Sequence, residues 1–482
     1  MRRIMSGNGT NGVWEAAVLV SLILGMAMAG ALWNGGGGAP LGRTPCPFQS
    51  PTSGLASIDS PRVLNPCPGW EWVKTYGTAS WDESTSLAPT SDGGAVLLTY
   101  TTGPNGTGLG ARSTVLRLDQ NGTVLWQEQL PLAVGHGGSI KQTSDGGFVV
   151  AHPTNVFGSF DVLVYRLDAL GQIAWQKTYG GSGIDWPSSI AQTSDGGYII
   201  GADTTSFGAG GKDLWLLRLD PSGGVIWQKT VGGAGDDDLA DMRPTADGGF
   251  VAVGQTTDSH SAAFVVRLDS GGNEVWQKTI QPGNNPGVIM SVAPTVDGGF
   301  VVHLGTGGKW YVTKLSGTGN IVWQKIYGDI SGTGSIAPTA DGGFVLSATV
   351  GSLGSLNLEV LRIDANGNRL WQRTYGGSLD DWSCHPQCIH EASDGNFLVA
   401  GYTKSFGAGD FDAWLLRLFT NGAISSSCTP GFGTSNNSPV VSNSKLKIAP
   451  ATFASSSAAG ISKVTTDTVR VGDHVVTTQC SA

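Results

Sequence analysis

The chain has 482 residues, of which 74 are glycine and 16 tryptophan, with 13% charged side chains and a net charge of −9. Few charges and many glycine-punctuated aromatic stretches fit an all-β protein with tight turns. An acidic chain without a basic block argues against nucleic acid as a partner, since phosphate binding needs clustered Lys and Arg, and more weakly against anionic membrane surfaces.

The N-terminus reads as a targeting segment. Arg2 and Arg3 precede an uncharged apolar run over 16–29, and Ala27 and Ala29 form a small-x-small pair. These are the parts of a secretory signal peptide. Extended to Trp33 the run reaches about 18 residues, so an uncleaved membrane anchor is the alternative for 1–29. Residues 30–68, rich in Gly, Pro and Ser, read as a linker. Six cysteines in an exported chain point to disulfides. The expected pairs are Cys46 with Cys67, Cys384 with Cys388 and Cys428 with Cys480, and the first and last pairs could exchange partners.

From residue 69 a repeat takes over. W-Q-K-T-Y-G-G and its variants place tryptophans at Trp72, Trp126, Trp175, Trp227, Trp276, Trp323 and Trp371. D-G-G or D-G-N starts at Asp92, Asp145, Asp195, Asp247, Asp297, Asp341 and Asp394. A basic residue of an R-L-D-like marker stands at Arg117, Arg166, Arg218, Arg267, Lys314, Arg362 and Arg417. Three markers, seven times each, in one order and with a period of roughly 50, are the signature of propeller blades.

The unit around residue 200 shows the blade. Residues 189–193 alternate and meet the Asp195-Gly196 turn, which favours a hairpin. Residues 198–201, 213–219 and 225–230 supply three further strands, giving four antiparallel strands per unit. The last unit lacks a tryptophan in its fourth slot, 421–426, while a spare strand of that type opens the repeat at 69–76. The N-terminal strand is therefore expected to complete the last blade and remove the exposed edges. The reading is an all-β, seven-bladed β-propeller of four-stranded blades over 69–426, closed by the N-terminal strand, with a small C-terminal β appendage or docking tail over 427–482.

The D-x-x-G-x-x-x-W spacing, as in Asp220, Gly223 and Trp227, or Asp168, Gly171 and Trp175, resembles the repeats of quinoprotein-like propellers. It also resembles the W-Q-K-T-Y-G-G repeats of exported bacterial and archaeal propeller proteins. The resemblance covers about residues 70–426 and implies the fold. Quinoprotein dehydrogenases of this class carry adjacent cysteines and acidic calcium ligands. No two cysteines are adjacent here, so pyrroloquinoline quinone (PQQ) is not expected.

Acidic residues are the candidate ligands. Asp82, Asp185, Asp237 and Asp381 stand in the loops that enter the inner strands. Asp161, Asp213 and Asp412 end loops that open on the same face. Clustered oxygens of this kind could hold Ca²⁺. The competing account is that each carboxylate accepts backbone N–H groups of its own Gly-rich loop. His136, Pro286 and Thr333 fill the same slots elsewhere, and an incomplete ring fits that account better. The seven basic residues read as blade-to-blade packing groups paired to a carboxylate or carbonyl, and the seven tryptophans as apolar packing groups. Cys384-His385-Pro386-Gln387-Cys388-Ile389-His390 marks a three-residue insertion, for which a local disulfide is preferred to zinc. No G-x-S-x-G, H-E-x-x-H or P-loop is present. The expectation is a non-catalytic, secreted or cell-surface binding scaffold with no committed cofactor or metal, whose partner is a protein or polysaccharide. An extracellular assembly subunit and a metal-dependent lyase or hydrolase are the alternatives.

Overall fold

The structure is a computed structural model. It describes residues 72–424, except 103–110, 258–261, 283–286, 307, 330–331, 385 and 408–409, together with four short C-terminal strands. The apolar N-terminal run, the linker, and Cys46, Cys67, Cys428 and Cys480 lie outside the described residues. Among the described residues no helix is long and apolar enough to cross a membrane.

Seven four-stranded antiparallel sheets follow one another. Blade 3 is typical: Asp185–Gln192 is innermost, then Tyr198–Thr204, Asp213–Leu219 and Val225–Gly232. Blades 1, 2, 4, 5 and 6 cover 82–130, 139–180, 237–282, 288–329 and 334–375. In blade 7 the innermost strand is split into Asp381–Ser383 and Ile389–Glu391, because the insertion between them cannot join the ladder. Its outer strand is Trp72–Tyr76, which pairs antiparallel with Asp412–Leu418 and sets Trp72 opposite Arg417. Strands from the two ends of the repeat thus close the ring.

The core is divided among the interfaces between blades. Val149, Val164 and Tyr179 of blade 2, for example, pack on Ile200, Trp215 and Leu217 of blade 3. Blades 7 and 1 share a cluster of the same kind around Trp72, Leu97 and Leu415. The repeat markers supply the remaining contacts. Trp175 lies over Gly223 of the next blade, whose φ of +77° admits glycine readily. A Cβ there would come 3.0 Å from the indole. Trp72 covers Gly122 in the same way, and Trp371 covers Gly422. Each basic marker reaches back to the D-G-G aspartate of its own blade, Lys314 to Asp297 at 2.7 Å and Arg417 to Asp394 at 2.7 Å. Arg218 also donates to the carbonyls of Tyr198 and Leu219.

The C-terminal strands attach to blades already built. Ser435–Asn436 pairs with the outer strand of blade 6, Leu446–Ala449 with blade 4, Ala454–Ser456 with blade 3 and Lys463–Thr465 with blade 2. Each is antiparallel and extends the sheet outward by one strand.

Candidate functional site

The seven acidic residues of the loops are all buried. Asp82 accepts hydrogen bonds from the Thr78 backbone N–H (2.6 Å), the Thr78 hydroxyl (2.9 Å) and Thr101. Asp185 accepts from the Gly181 N–H (2.7 Å), Ser206 (2.7 Å) and Thr204. Asp381 accepts from the Gly377 N–H (2.7 Å), Ser405 (2.8 Å) and Thr403. Asp237 accepts from the Gly233 N–H at 2.8 Å, and Asp213 from the Ala209 N–H at 3.2 Å. Burial raises the Asp82 and Asp381 carboxyls, while hydrogen bonds from Thr101 and Thr403 oppose it.

These carboxylates also explain the first glycine of Y-G-G. A Cβ on Gly180 would lie 2.0 Å from Asp161 Oδ1 and 2.8 Å from Asp185 Oδ2. On Gly232 it would lie 1.9 Å from Asp213 and 2.9 Å from Asp237, and on Gly77 1.9 Å from Asp412. In blades 1 and 4 this glycine is replaced by Pro131 and Gln281, and the third strand starts with Arg112 and Ala262 instead of Asp. Blades 5 and 6 keep the glycine, as Gly328 and Gly376, but start the third strand with Lys309 and Asn357, so the acid comes with the glycine only in blades 2, 3 and 7. Among the described residues no group of three or more His, Cys, Asp or Glu is placed to hold a metal ion.

The centre of the ring is the surprise. Cys384 and Cys388 form a disulfide, which leaves neither thiolate for zinc. The loop they close carries Gln387 onto the propeller axis, where it is 1% exposed with a φ of +79°. Its side-chain amide donates to Ser189 Oγ and Asp241 Oδ1, both at 2.9 Å. Its Oε1 accepts from Ser139 (3.3 Å), and its own N–H donates to Ser335 Oγ (3.0 Å). The Leu87 N–H donates to its carbonyl at 3.4 Å. One residue from blade 7 therefore contacts blades 2, 3 and 4 through its side chain and blades 1 and 6 through its backbone, and plugs the channel. This φ is uncommon outside glycine, so the surrounding bonds must hold it.

The side chains that Gln387 meets share one repeat position. Six residues before each D-G-G aspartate stand Ser86, Ser139, Ser189, Asp241, Ser291, Ser335 and Cys388, and all are buried. Neighbours are tied in turn: Ser86 accepts the Ile140 N–H at 3.2 Å, and Ser291 donates to Asp241 at 2.8 Å. Reading the sequence for shared markers missed this ring. The signal was there as a column of small polar residues interrupted by Asp241 and Cys388.

On the face where the inner strands begin, the plug floors a funnel of about 710 Å³. Its wall includes Trp186, Tyr402, Pro187, Leu239, Ile289, Met290 and Pro386, the neighbour of Gln387. Its charged groups are Glu83 and His136, which approach to 3.4 Å. The hydrogen bond with Glu83 raises the His136 imidazole above its usual range. Tyr402 stacks on Trp382 with centroids 6.0 Å apart, and Trp186 meets Phe160 edge-on at 4.9 Å. A tricarboxylate such as PQQ needs cations or a metal on its carboxylates. With one carboxylate, one imidazole and a plugged axis, these residues do not fit it. Ser113 Oγ and His152 Nε2 lie 2.7 Å apart, but both residues are fully buried and Nδ1 faces the Pro153 carbonyl. That pair cannot reach a substrate.

The fold defines a seven-bladed β-propeller of four-stranded blades. Residues 261–402 match the family model described as outer membrane protein assembly factor BamB. No curated protein matches the chain. Similar solved structures include a PL25 ulvan lyase bound to a GlcA–Rha3S ligand, 8% identical with a TM-score of 0.45 over 71% of this chain and 96% of that one. Polysaccharide lyase Uly1 is 10% identical with a TM-score of 0.46 over 71% and 91%. The periplasmic gluconolactonase PpgL of Pseudomonas aeruginosa is 15% identical with a TM-score of 0.41 over 62% and 86%. At these identities the likeness is one of fold.

Proposed function

We propose that the protein is a non-catalytic binding scaffold, exported to the cell envelope or surface, which engages a protein or polysaccharide through its funnel. One observation carries this reading. The funnel is wide, rimmed by half-buried Trp186 and Tyr402, and closed below by the Gln387 plug, so it offers contact surface and no through-channel. Aromatic side chains on a concave surface dominate binding energetics. The match to an envelope assembly factor over 261–402 supports an interaction role and an envelope setting.

The test is capture from the native envelope on immobilised protein. The Trp186→Ala, Tyr402→Ala double variant should keep its melting temperature within a few degrees. It should lose at least tenfold of the captured partner, because two aromatic anchors contribute on the order of 1–2 kcal/mol each. Equal capture by this variant overturns the funnel as the binding surface. Turnover of envelope polysaccharide by the wild type that EDTA abolishes overturns the non-catalytic reading.

A further inference from the structure

Two residues further along the inner strands than the serine ring, another repeat position carries unusual residues. Four residues before each D-G-G aspartate, alanine stands in blades 1, 3, 5 and 6, as Ala88, Ala191, Ala293 and Ala337. Blades 2, 4 and 7 carry Lys141, Arg243 and His390 there instead. No two of these three blades are adjacent. Yet Arg243 and Asp241 act electrostatically on Lys141, and Lys141 and Arg243 on His390. Lys141 and Arg243 stand two residues past Ser139 and Asp241, which Gln387 bridges, and His390 Nε2 bonds the Gln387 carbonyl at 3.1 Å, so the three residues surround one stretch of the channel.

Their charges are unevenly matched. Asp241 already accepts from Gln387 on one oxygen, and from Ser291 (2.8 Å), the Val292 N–H (3.2 Å) and Arg243 Nε (3.1 Å) on the other. His390 is neutral, since burial, Lys141 and Arg243 together lower it to about 3. Its Nε2–H donates to the Leu87 carbonyl at 2.9 Å. Lys141 Nζ and Arg243 Nη2 are sealed from solvent and have no hydrogen-bond partner. Two buried nitrogens of basic side chains without acceptors are costly. Beside Lys141, a hollow of about 490 Å³ lined by Ser91, Gln142, Thr143, Ser144 and Gln192 opens on the D-G-G face.

We propose that Lys141 and Arg243 hold a small oxyanion, of the phosphate or sulfate class, inside the channel below the Gln387 plug. Charge-assisted N–H···O⁻ bonds would satisfy both nitrogens. Because burial, followed by Arg243, lowers Lys141 to about 7, with Asp241 opposing, the anion favours its charged form. Binding at pH 8 then takes up a proton; the charged or titratable groups that act on this amine or share its slot are Asp241, Arg243 and His390.

The probes are inorganic phosphate and inorganic sulfate, titrated calorimetrically into intact protein prepared free of both. The expected result is saturable one-site binding with proton uptake at pH 8 and a melting temperature that rises with anion. Lys141→Ala, which installs the residue that four blades already carry, should weaken binding at least tenfold. Arg243→Lys retains a charge beside Asp241 but removes Nη2, and should weaken it several-fold. A wild type that binds neither anion, or a Lys141→Ala variant of equal affinity, overturns the proposal and leaves the cluster solvated by water alone.

Discussion

At Asp195, the Thr193 hydroxyl is the largest single influence lowering the carboxyl. Burial opposes it, and the Gly197 N–H and Arg218 add to it. Asp145 and Asp247 repeat this order, and at Asp297 the Lys314 ammonium leads and takes the carboxyl down to about 2. All seven D-G-G aspartates are lowered. A carboxyl whose folded value lies below its unfolded value stabilises fully above the unfolded value, near 4, and loses that stabilisation as pH falls towards the folded one. We expect the contribution of these seven aspartates to be constant from pH 7 to about 5 and the melting temperature to fall steeply as it is lost between about 4 and 2. A melting temperature at pH 2.5 equal to that at pH 6 would contradict it. Gly223→Ala tests the tryptophan contact. The positive φ costs about 1–2 kcal/mol, and displacing Trp175 adds to it, so chemical denaturation should show a loss of about 2 kcal/mol or more. The D-G-G, Arg and Trp roles were legible in sequence because each side chain is needed once per blade. A sevenfold column announces a blade requirement.

At the scale of the element, the inner strand of blade 7 behaves unlike the other six. Its three-residue insertion was visible in sequence as a longer distance from Trp382 to Asp394, and the disulfide within it followed from the cysteines. Its destination was not visible. Whether an inserted loop bulges outward or folds onto the axis depends on the width of the channel, and that width depends on all seven inner strands at once. The Cys384→Ser, Cys388→Ser variant releases the loop. Closing so short a loop stabilises by roughly 2 kcal/mol on the chain-entropy account. Buried Gln387 ties loop and ring together, so the variant should unfold about 2 kcal/mol more easily and open the floor of the funnel. Solvent exchange at the Gln387 and Cys388 amides, slow in the wild type, should accelerate at least tenfold. Unchanged exchange would show that the hydrogen bonds hold the plug without the covalent link.

For the whole molecule, one strand closes the ring. Without Trp72–Tyr76, blade 7 would end at Asp412–Leu418 with an open edge, and blade 1 would lose the Trp72 cover on Gly122. Trp72→Ala removes a side chain that is 2% exposed and should cost about 3–5 kcal/mol. Trp175→Ala, with a partly exposed indole, should cost less. Equal losses by denaturant titration would mean that the ring seam is no tighter than an ordinary interface.

The amino-acid sequence by itself determined the blade count, the strand order and the identity of the closing strand. These follow from local periodicity and from contacts that recur at fixed spacing. Only the tertiary structure decided what fills the middle. The serine ring, the Gln387 plug and the Lys141–Arg243–His390 convergence join blades that are distant in the chain. Their contacts exist because seven twisted sheets bring one edge each to a common axis.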